Sequence, residues 1–317
     1  MHSDAAVLSE PQDVALAVDI GGTKVDSALV TADGRVLPDT VARRPTGRSS
    51  GRGQLAGAIR AAAAESVAHR AVGHRIRGVG VGSAGPVDLT SGSISPLNLP
   101  AAHGLVVSEI LDGLVPDAPV ALALDGTCIA LAEHWRGALA GCRHGLAMVV
   151  STGIGGGFVV DGRPITGTSG NAGHIGQIRV RTREDADPVG STVEAIAAGP
   201  GTVSWARANG WDGSTGEDLA AAYRAGSDIA RRAVARSAAA VGEAIATAST
   251  LLDLEVAALA GGFVNVADDY VEQVAAGVLV AALHPYARRV RVTRSGLAGD
   301  GPLIGAAALV LRSSDVL

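Results

Sequence analysis

Ser151-Thr-Gly-Ile-Gly-Gly-Gly157 follows the apolar run Leu146 to Val150 and precedes Phe158-Val-Val160 and the turn Asp161-Gly162. The order reads as strand, glycine-rich turn, strand, tight turn. Four glycines in seven residues build no core. They free the backbone for left-handed angles and for close approach to a ligand. The N–H groups of such a turn suit an anion, most often phosphate. Taken alone, the stretch equally fits a flexible hairpin turn. A second stretch built the same way separates these readings. Val14-Ala-Leu-Ala-Val18 runs into Asp19-Ile-Gly-Gly-Thr-Lys24, then Val25 to Val30, the turn Ala32-Asp-Gly34 and a strand at Arg35-Val-Leu37. Two such units about half a chain apart imply duplicated halves facing one cleft.

The chain around them is long enough, at 317 residues, for two domains with cores of their own. It is 47% hydrophobic and 18% charged, which excludes a disordered chain, and 3% aromatic, so Ala, Val, Leu and Ile must fill the core. The net charge of −5 and the absence of a Lys/Arg block give no reason to expect a nucleic-acid surface. Cys128 and Cys142 form no CxxC pair, so neither a disulfide framework nor a thiolate zinc site is expected. No apolar leader stands at the N-terminus and no apolar helix is of bilayer length, which points to a cytoplasmic protein without a membrane partner.

Outside the two glycine stretches, strands alternate with helices, the pattern of an α/β fold. Gln54 to His69 and Gly216 to Leu252 are Ala-rich and helical in period, the latter broken near Gly226. Residues 45–53 read as a loop, Ile178 to Val180 as a short strand, and Val193 to Ala198 as the start of a helix. Asp125 stands at the end of the strand Val120 to Leu124, before a helix from Thr127, where open α/β folds place working residues. It also suits a helix N-cap. Asp19-x-Gly-x-Thr23 offers a carboxylate for a hydrated Mg²⁺ beside a phosphate turn, or simply closes a hairpin. Ala260-Gly-Gly262-Phe263 offers a strand-end turn where a flat ring can meet bare backbone. His103, His134, His144 and His284 lack partner spacing and read as surface residues; Trp135, Trp205 and Trp211 read as packing.

The phosphate motif Leu16–Lys24, the stretch Ser151–Gly162, Ala260–Phe263 and the ending Gly301–Leu309 occur in the order of an actin-like ATPase core. Together they resemble the ROK family of sugar kinases and repressors, over Val14 to Leu311. The resemblance implies a two-lobed, actin-like or hexokinase-like (ribonuclease H-like) fold with a central cleft. It implies a flexible tail at 1–13, an N-terminal lobe at 14–122, a C-terminal lobe with the ATP site at 123–300, and a terminal helix, 301–317, packing back on the N-terminal lobe. Homodimers are usual in the family. ATP and Mg²⁺ are the implied cofactors, with Asp19 holding the metal through water. Gly21, Gly22, Thr23, Lys24, Thr152, Gly153, Gly155, Gly156, Gly261 and Gly262 are the implied cofactor-binding residues.

By the same resemblance Asp125 is the catalytic base, taking the proton of a sugar hydroxyl as its oxygen attacks the γ-phosphate. Ser83, Gly85, Asn98, Leu124, Asp125, His174, Gln177 and Glu194 fall at sugar-site positions. Three departures mark this chain. The family's Asn-Asp pair reads Leu124-Asp125. The family's Glu-x-x-His reads His174-Ile-Gly-Gln177, with His at the first position as in related N-acetylmannosamine kinases. The zinc-binding cysteine segment is replaced by Asp185–Thr192, which has no cysteine, and Gln177 is a poor zinc ligand, so no zinc is expected. These changes point away from glucose and toward N-acetylmannosamine or kanosamine as the acceptor, with phosphorylation at the 6-hydroxyl. The alternatives are a glucose kinase, a sugar-sensing regulator of the ROK type, and a catalytically weak sugar-binding protein. Against a regulator, Asp19 comes too early for a preceding winged helix, and the tail is not basic.

Overall fold

The structure, a computed structural model, describes residues 11–180, 190–297 and 299–313. The chain divides into two compact units, one ending at Leu124 and resumed at Pro302, the other running from Asp125 to Gly301.

The first unit opens with β1 (Gln12–Ile20) and β2 (Lys24–Thr31), joined by the Asp19–Lys24 turn. β3 (Ala42–Pro45), α1 (Arg52–Ala68) and β4 (His74–Ser83) follow. A small antiparallel sheet of β5 (Val87–Asp88), β6 (Ser93–Ile94) and β7 (Leu105–Val106) precedes α2 (Val107–Leu111) and β8 (Val120–Leu124). The main sheet has the order β3-β2-β1-β4-β8. Its β1–β2 and β2–β3 pairs are antiparallel, and its β1–β4 and β4–β8 pairs are parallel.

The second unit contains α3 (Asp125–Arg136), β9 (Gly145–Val150), β10 (Ile154–Val160) and β11 (Arg163–Pro164). Then come α4 (Val193–Ala197), α5 (Gly199–Ala208), α6 (Gly216–Arg224), α7 (Asp228–Leu252), β12 (Val256–Ala260), α8 (Tyr270–Ala281) and β13 (Arg291–Arg294). Its sheet has the order β11-β10-β9-β12-β13, with the same sequence of antiparallel and parallel pairings as the first. The repeated sequence pattern thus becomes a repeated topology. The terminal helix α9 (Gly301–Leu311) lies directly on β4, where a β-carbon at Gly80 would overlap the carbonyl of Ala306.

Each sheet is covered on both faces, which is why its central strands are continuous apolar runs. Every residue from Val14 to Val18 is fully buried. In the second unit Leu146, Met148 and Val150 of β9 join Val234, Val241 and Ile245 of α7 and Tyr270 and Val274 of α8 in one core. Helix α7 starts at the Ser227 cap, whose hydroxyl accepts Ala230 N–H, and stops at Asp253, in the left-handed region with φ 49°. Asp161 and Gly162, at φ 51° and 76°, make the primed hairpin turn that joins β10 to β11.

Several expectations need correction. None of Gly21, Gly22, Gly153, Gly155, Gly156 and Gly157 adopts a positive φ, so none serves a left-handed turn; at Gly22, Gly153, Gly156 and Gly157 a β-carbon would instead meet a neighbour within 3 Å. The second turn is only Ser151–Gly153; Gly155 and Gly156 lie inside β10. The third strand of the first hairpin unit is not at 35–37, where Val36 makes a single bridge to Val30. It is β3, within a stretch whose arginines and proline hide it. Among the described residues, 178–180 form no named strand and make one isolated bridge, Arg179 to Thr192. The Asp185–Thr192 segment lies, up to residue 189, outside the described residues.

Candidate functional site

In the second unit, β10 is the spine of the site. Helix α3 begins at Asp125, and its next residue, Gly126, meets β10 with no side chain between the backbones. A β-carbon at Gly126 would overlap the carbonyl of Gly156, and one at Gly157 would overlap the carbonyl of Gly126. On the segment after β11, Gly173, at φ 115°, and Gly176 approach β10 as closely, against Gly156 and Ile154 respectively. Glycine at these crossings lets α3 and the His174–Gln177 segment lie directly against one strand.

Asp125 is recessed but keeps partial access to solvent. Its Oδ1 accepts the Gly126 N–H at 2.6 Å, and Oδ2 takes no hydrogen bond from the described residues. Burial pushes its carboxyl above the ordinary value of 3.8, against the opposing pull of the Gly126 N–H and the charge of His174. A carboxylate made more basic, with one oxygen uncommitted, is suited to accept a proton. His174 is exposed, and its Nδ1 donates to Asn171 O at 2.9 Å, leaving Nε2 as an acceptor when the ring is neutral.

Glu194 lies on the short helix α4, capped by Thr192, whose hydroxyl accepts Ala195 N–H. Its Oε2 accepts the N–H of Ile154 at 2.8 Å and its Oε1 accepts the Gln177 amide at 3.1 Å. The resemblance puts Glu194 and Gln177 at the sugar; in the structure the two are bonded to each other, and Glu194 is also bonded to the start of β10.

The Ser151–Gly153 turn continues into a cavity of about 560 Å³, a volume in the range of small-ligand sites. Thr152, Pro200, Thr215, Gly262 and Phe263 are among its walls. The turn is tied down by Ser151 N–H to Gly153 O and by Gly199 N–H to Ser151 O. Gly261 has φ 100° and ψ 156°, a conformation open in practice only to glycine, while the position of a β-carbon on Gly262 is empty space. Bare backbone at Gly262 beside the ring of Phe263 leaves room for a flat heterocycle, and the hydroxyls of Thr152 and Thr215 supply polar contacts. These residues fit a nucleotide. The sequence reading missed Pro200, Thr215 and Phe263 as cavity walls. The signal for Thr215 was present as a helix start, since its hydroxyl accepts Asp218 N–H and Asp218 accepts Thr215 N–H in a capping box.

In the first unit, the turn after Asp19 is closed by Gly21 N–H to Lys24 O. Thr46 pins it from outside: its hydroxyl donates to Gly21 O at 2.9 Å and its N–H to Thr23 O. Asn98 sits on the turn, its amide filling the space a side chain at Gly22 would need. Lys24 is paired with Asp26 at 2.8 Å, and Asp26 also receives Arg43 through two hydrogen bonds. Ser83 is fully buried with its hydroxyl on Ala84 O, and Leu124 is buried. Asp19 is the next-to-last residue of β1, beside Gly82 of β4. Among the described residues no three His, Cys, Asp or Glu side chains cluster as a metal cage. A hydrated Mg²⁺ held mainly by phosphates needs one carboxylate and not a cage, and Asp19 fits that demand.

Known proteins resemble this chain in sequence and in fold. The ROK family pattern matches residues 15–313. The chain is 33% identical over 307 residues to an N-acetylmannosamine kinase of Yersinia pseudotuberculosis, covering 92% of this chain and 96% of that one. The structure of a ROK hexokinase from Thermus thermophilus is similar at 29% identity and a TM-score of 0.80, over 95% of this chain and 99% of the other. A ROK family glucokinase from Streptomyces griseus, in complex with glucose and AMPPNP, shares the fold at 24% identity and a TM-score of 0.78, over 94% and 99%. The two-lobed, actin-like fold expected from the sequence is thus the fold of this chain, and the chain belongs to the ROK family.

Proposed function

We propose that this protein is an ATP-dependent sugar kinase that phosphorylates the 6-hydroxyl of an amino hexose. N-acetylmannosamine or kanosamine is preferred over glucose. The observation that carries the reading lies within the second unit. Gly126, next to the recessed carboxylate of Asp125, packs on Gly156 of β10, and the turn that leads into β10 carries Thr152, a wall of the cavity that Gly262 also lines. A proton acceptor and a nucleotide-sized space that both adjoin β10 support this reading.

Asp125 Oδ2 accepts the proton of the sugar hydroxyl as the hydroxyl oxygen attacks. The N–H of Gly126 holds Oδ1 and fixes the direction of Oδ2. Bound ATP supplies the phosphoryl group, with Mg²⁺ offsetting its charge. The Ser151–Gly153 turn presents backbone N–H groups to the phosphates. In the first unit, the Asp19–Lys24 turn is the candidate for the metal and the remaining phosphates. His174 Nε2 and Asn98 are candidate sugar contacts.

The similarity to an N-acetylmannosamine kinase supports an amino-sugar acceptor, as does His174 at the first position of its motif. The test is a comparison of ATP-dependent phosphorylation of N-acetylmannosamine, kanosamine and glucose, with the position of the product phosphate read by NMR. A preference for glucose overturns the acceptor assignment, and no turnover of any sugar overturns the kinase reading. One observation favours a second reading, a weak sugar-binding protein: both oxygens of Glu194 are already engaged by protein. Sugar binding without phosphorylation in the same assay would support it.

A further inference from the structure

We propose that Glu194 is a positioning residue for the donor-phosphate turn, and that with Gln177 it couples acceptor and nucleotide binding. The inference rests on the kinase reading above and concerns how its two substrates communicate.

Glu194 divides its two oxygens between two different pieces of chain. Oε2 accepts the N–H of Ile154, the first residue of β10, immediately after the Ser151–Gly153 turn. The same oxygen lies 2.8 Å from where a Gly153 β-carbon would stand, so the carboxylate rests on the turn itself. Oε1 accepts the side-chain amide of Gln177, three residues after His174. The segment that carries Gln177 is tied to α4 a second time through the backbone, by Val193 N–H to Ile178 O and Val180 N–H to Ser191 O. Glu194 is half-buried and Gln177 is exposed, so the Gln177–Glu194 bond is the solvent-facing part of the link.

A sugar hydroxyl reaching Glu194 must share Oε1 with Gln177 or replace it. Either event changes the pull on a carboxylate whose other oxygen fixes the turn. One side chain therefore reports acceptor occupancy to the donor turn, and by linkage donor occupancy must act equally on acceptor affinity. Glutamine suits this role because its amide can turn to present oxygen or nitrogen, which a zinc-bound side chain could not do.

The arms of the test separate coupling from simple sugar contact. Binding of the nucleotide analogue AMPPNP with Mg²⁺ is measured by calorimetry, with and without N-acetylmannosamine, on folded proteins verified by circular dichroism. Glu194→Ala loses the bond to Ile154 and is expected to bind AMPPNP about fivefold or more weakly even without sugar. Glu194→Gln can keep both bonds, if Gln177 turns its amide, and is expected to restore that affinity. Gln177→Ala keeps the Ile154 bond, so its sugar-free AMPPNP affinity should stay within about twofold of wild type, while the effect of sugar on AMPPNP affinity falls toward none. Unchanged sugar-free AMPPNP affinity in Glu194→Ala overturns the positioning role. Full sugar–nucleotide coupling in Gln177→Ala overturns the coupling role. Both results leave the kinase reading standing if the wild type still phosphorylates sugar. A wild type that binds no AMPPNP defeats that reading and this inference with it.

Discussion

Gly126 and Gly156 are in backbone contact: a β-carbon on Gly126 would overlap the Gly156 carbonyl. The contact sets the start of α3, and so Asp125, against β10. Gly126→Ala should push the helix start away from the strand. An overpacked site of this kind costs about 1–3 kcal/mol. Displacing a catalytic group by about 1 Å can lower kcat roughly a hundredfold. A thermal melt and steady-state kinetics with ATP and N-acetylmannosamine check both numbers. A kcat near that of wild type would show that the strand does not set the position of Asp125.

Asp125→Asn removes the proposed base while keeping an oxygen for the Gly126 N–H. A fall in kcat of about 10²–10⁴ is expected with AMPPNP binding retained. Stability should move the other way. A folded-state pKa above 3.8 means that the neutral acid is favoured on folding. The stabilisation is therefore present below the unfolded value and is lost as pH rises through the folded one. The Asn variant should melt higher than wild type at pH 7, and the gap should close below pH 3.8. The acid limb of the kcat profile should likewise lie above the range of an ordinary aspartate.

Asp26 provides the opposite sign in the other unit. Burial alone would raise its pKa, but hydrogen bonds from Arg43 and Lys24 outweigh burial and leave it below 3.8. Its contribution is therefore present above the unfolded value and lost as pH falls through the lower folded one. Asp26→Asn leaves two cations short of a partner and should cost about 1.5–3 kcal/mol at pH 7. That deficit should fade in melts carried down through pH 3.8 and below.

These residues also show how far the sequence could be read. The two glycine stretches announced their hairpins, and the repeated order became two sheets of identical topology. The purpose of the glycines was not legible, because a chain pattern cannot distinguish a special φ from a close crossing. Gly156 and Gly157 are strand residues that make room for Gly126 and Gly173, which stand about 30 and 16 residues away and carry no mark of the contact. β3 escaped notice because an edge strand with exposed Arg43 and Pro45 lacks alternation. The sequence could propose Glu194 as a ligand residue, but its bond to Ile154, 40 residues earlier, exists only in the fold.

Gly261 and Gly262 are neighbours with opposite demands, and the pair isolates the nucleotide site from the fold. At Gly261 the backbone stands at φ 100°, and a β-carbon would overlap the Val150 carbonyl. Alanine there should destabilise the protein by about 1–3 kcal/mol through backbone strain alone, before any ligand is considered. At Gly262 nothing lies within 4 Å of an added β-carbon. Gly262→Ala should therefore fold and melt like wild type. If the cavity holds the adenine ring against that bare backbone, the added methyl occupies the ring's place. KM for ATP should then rise about tenfold, or roughly 1.4 kcal/mol, with KM for the sugar little changed. A Gly262→Ala enzyme with unaltered KM for ATP and unaltered melting would move the nucleotide base away from the cavity between Pro200 and Phe263.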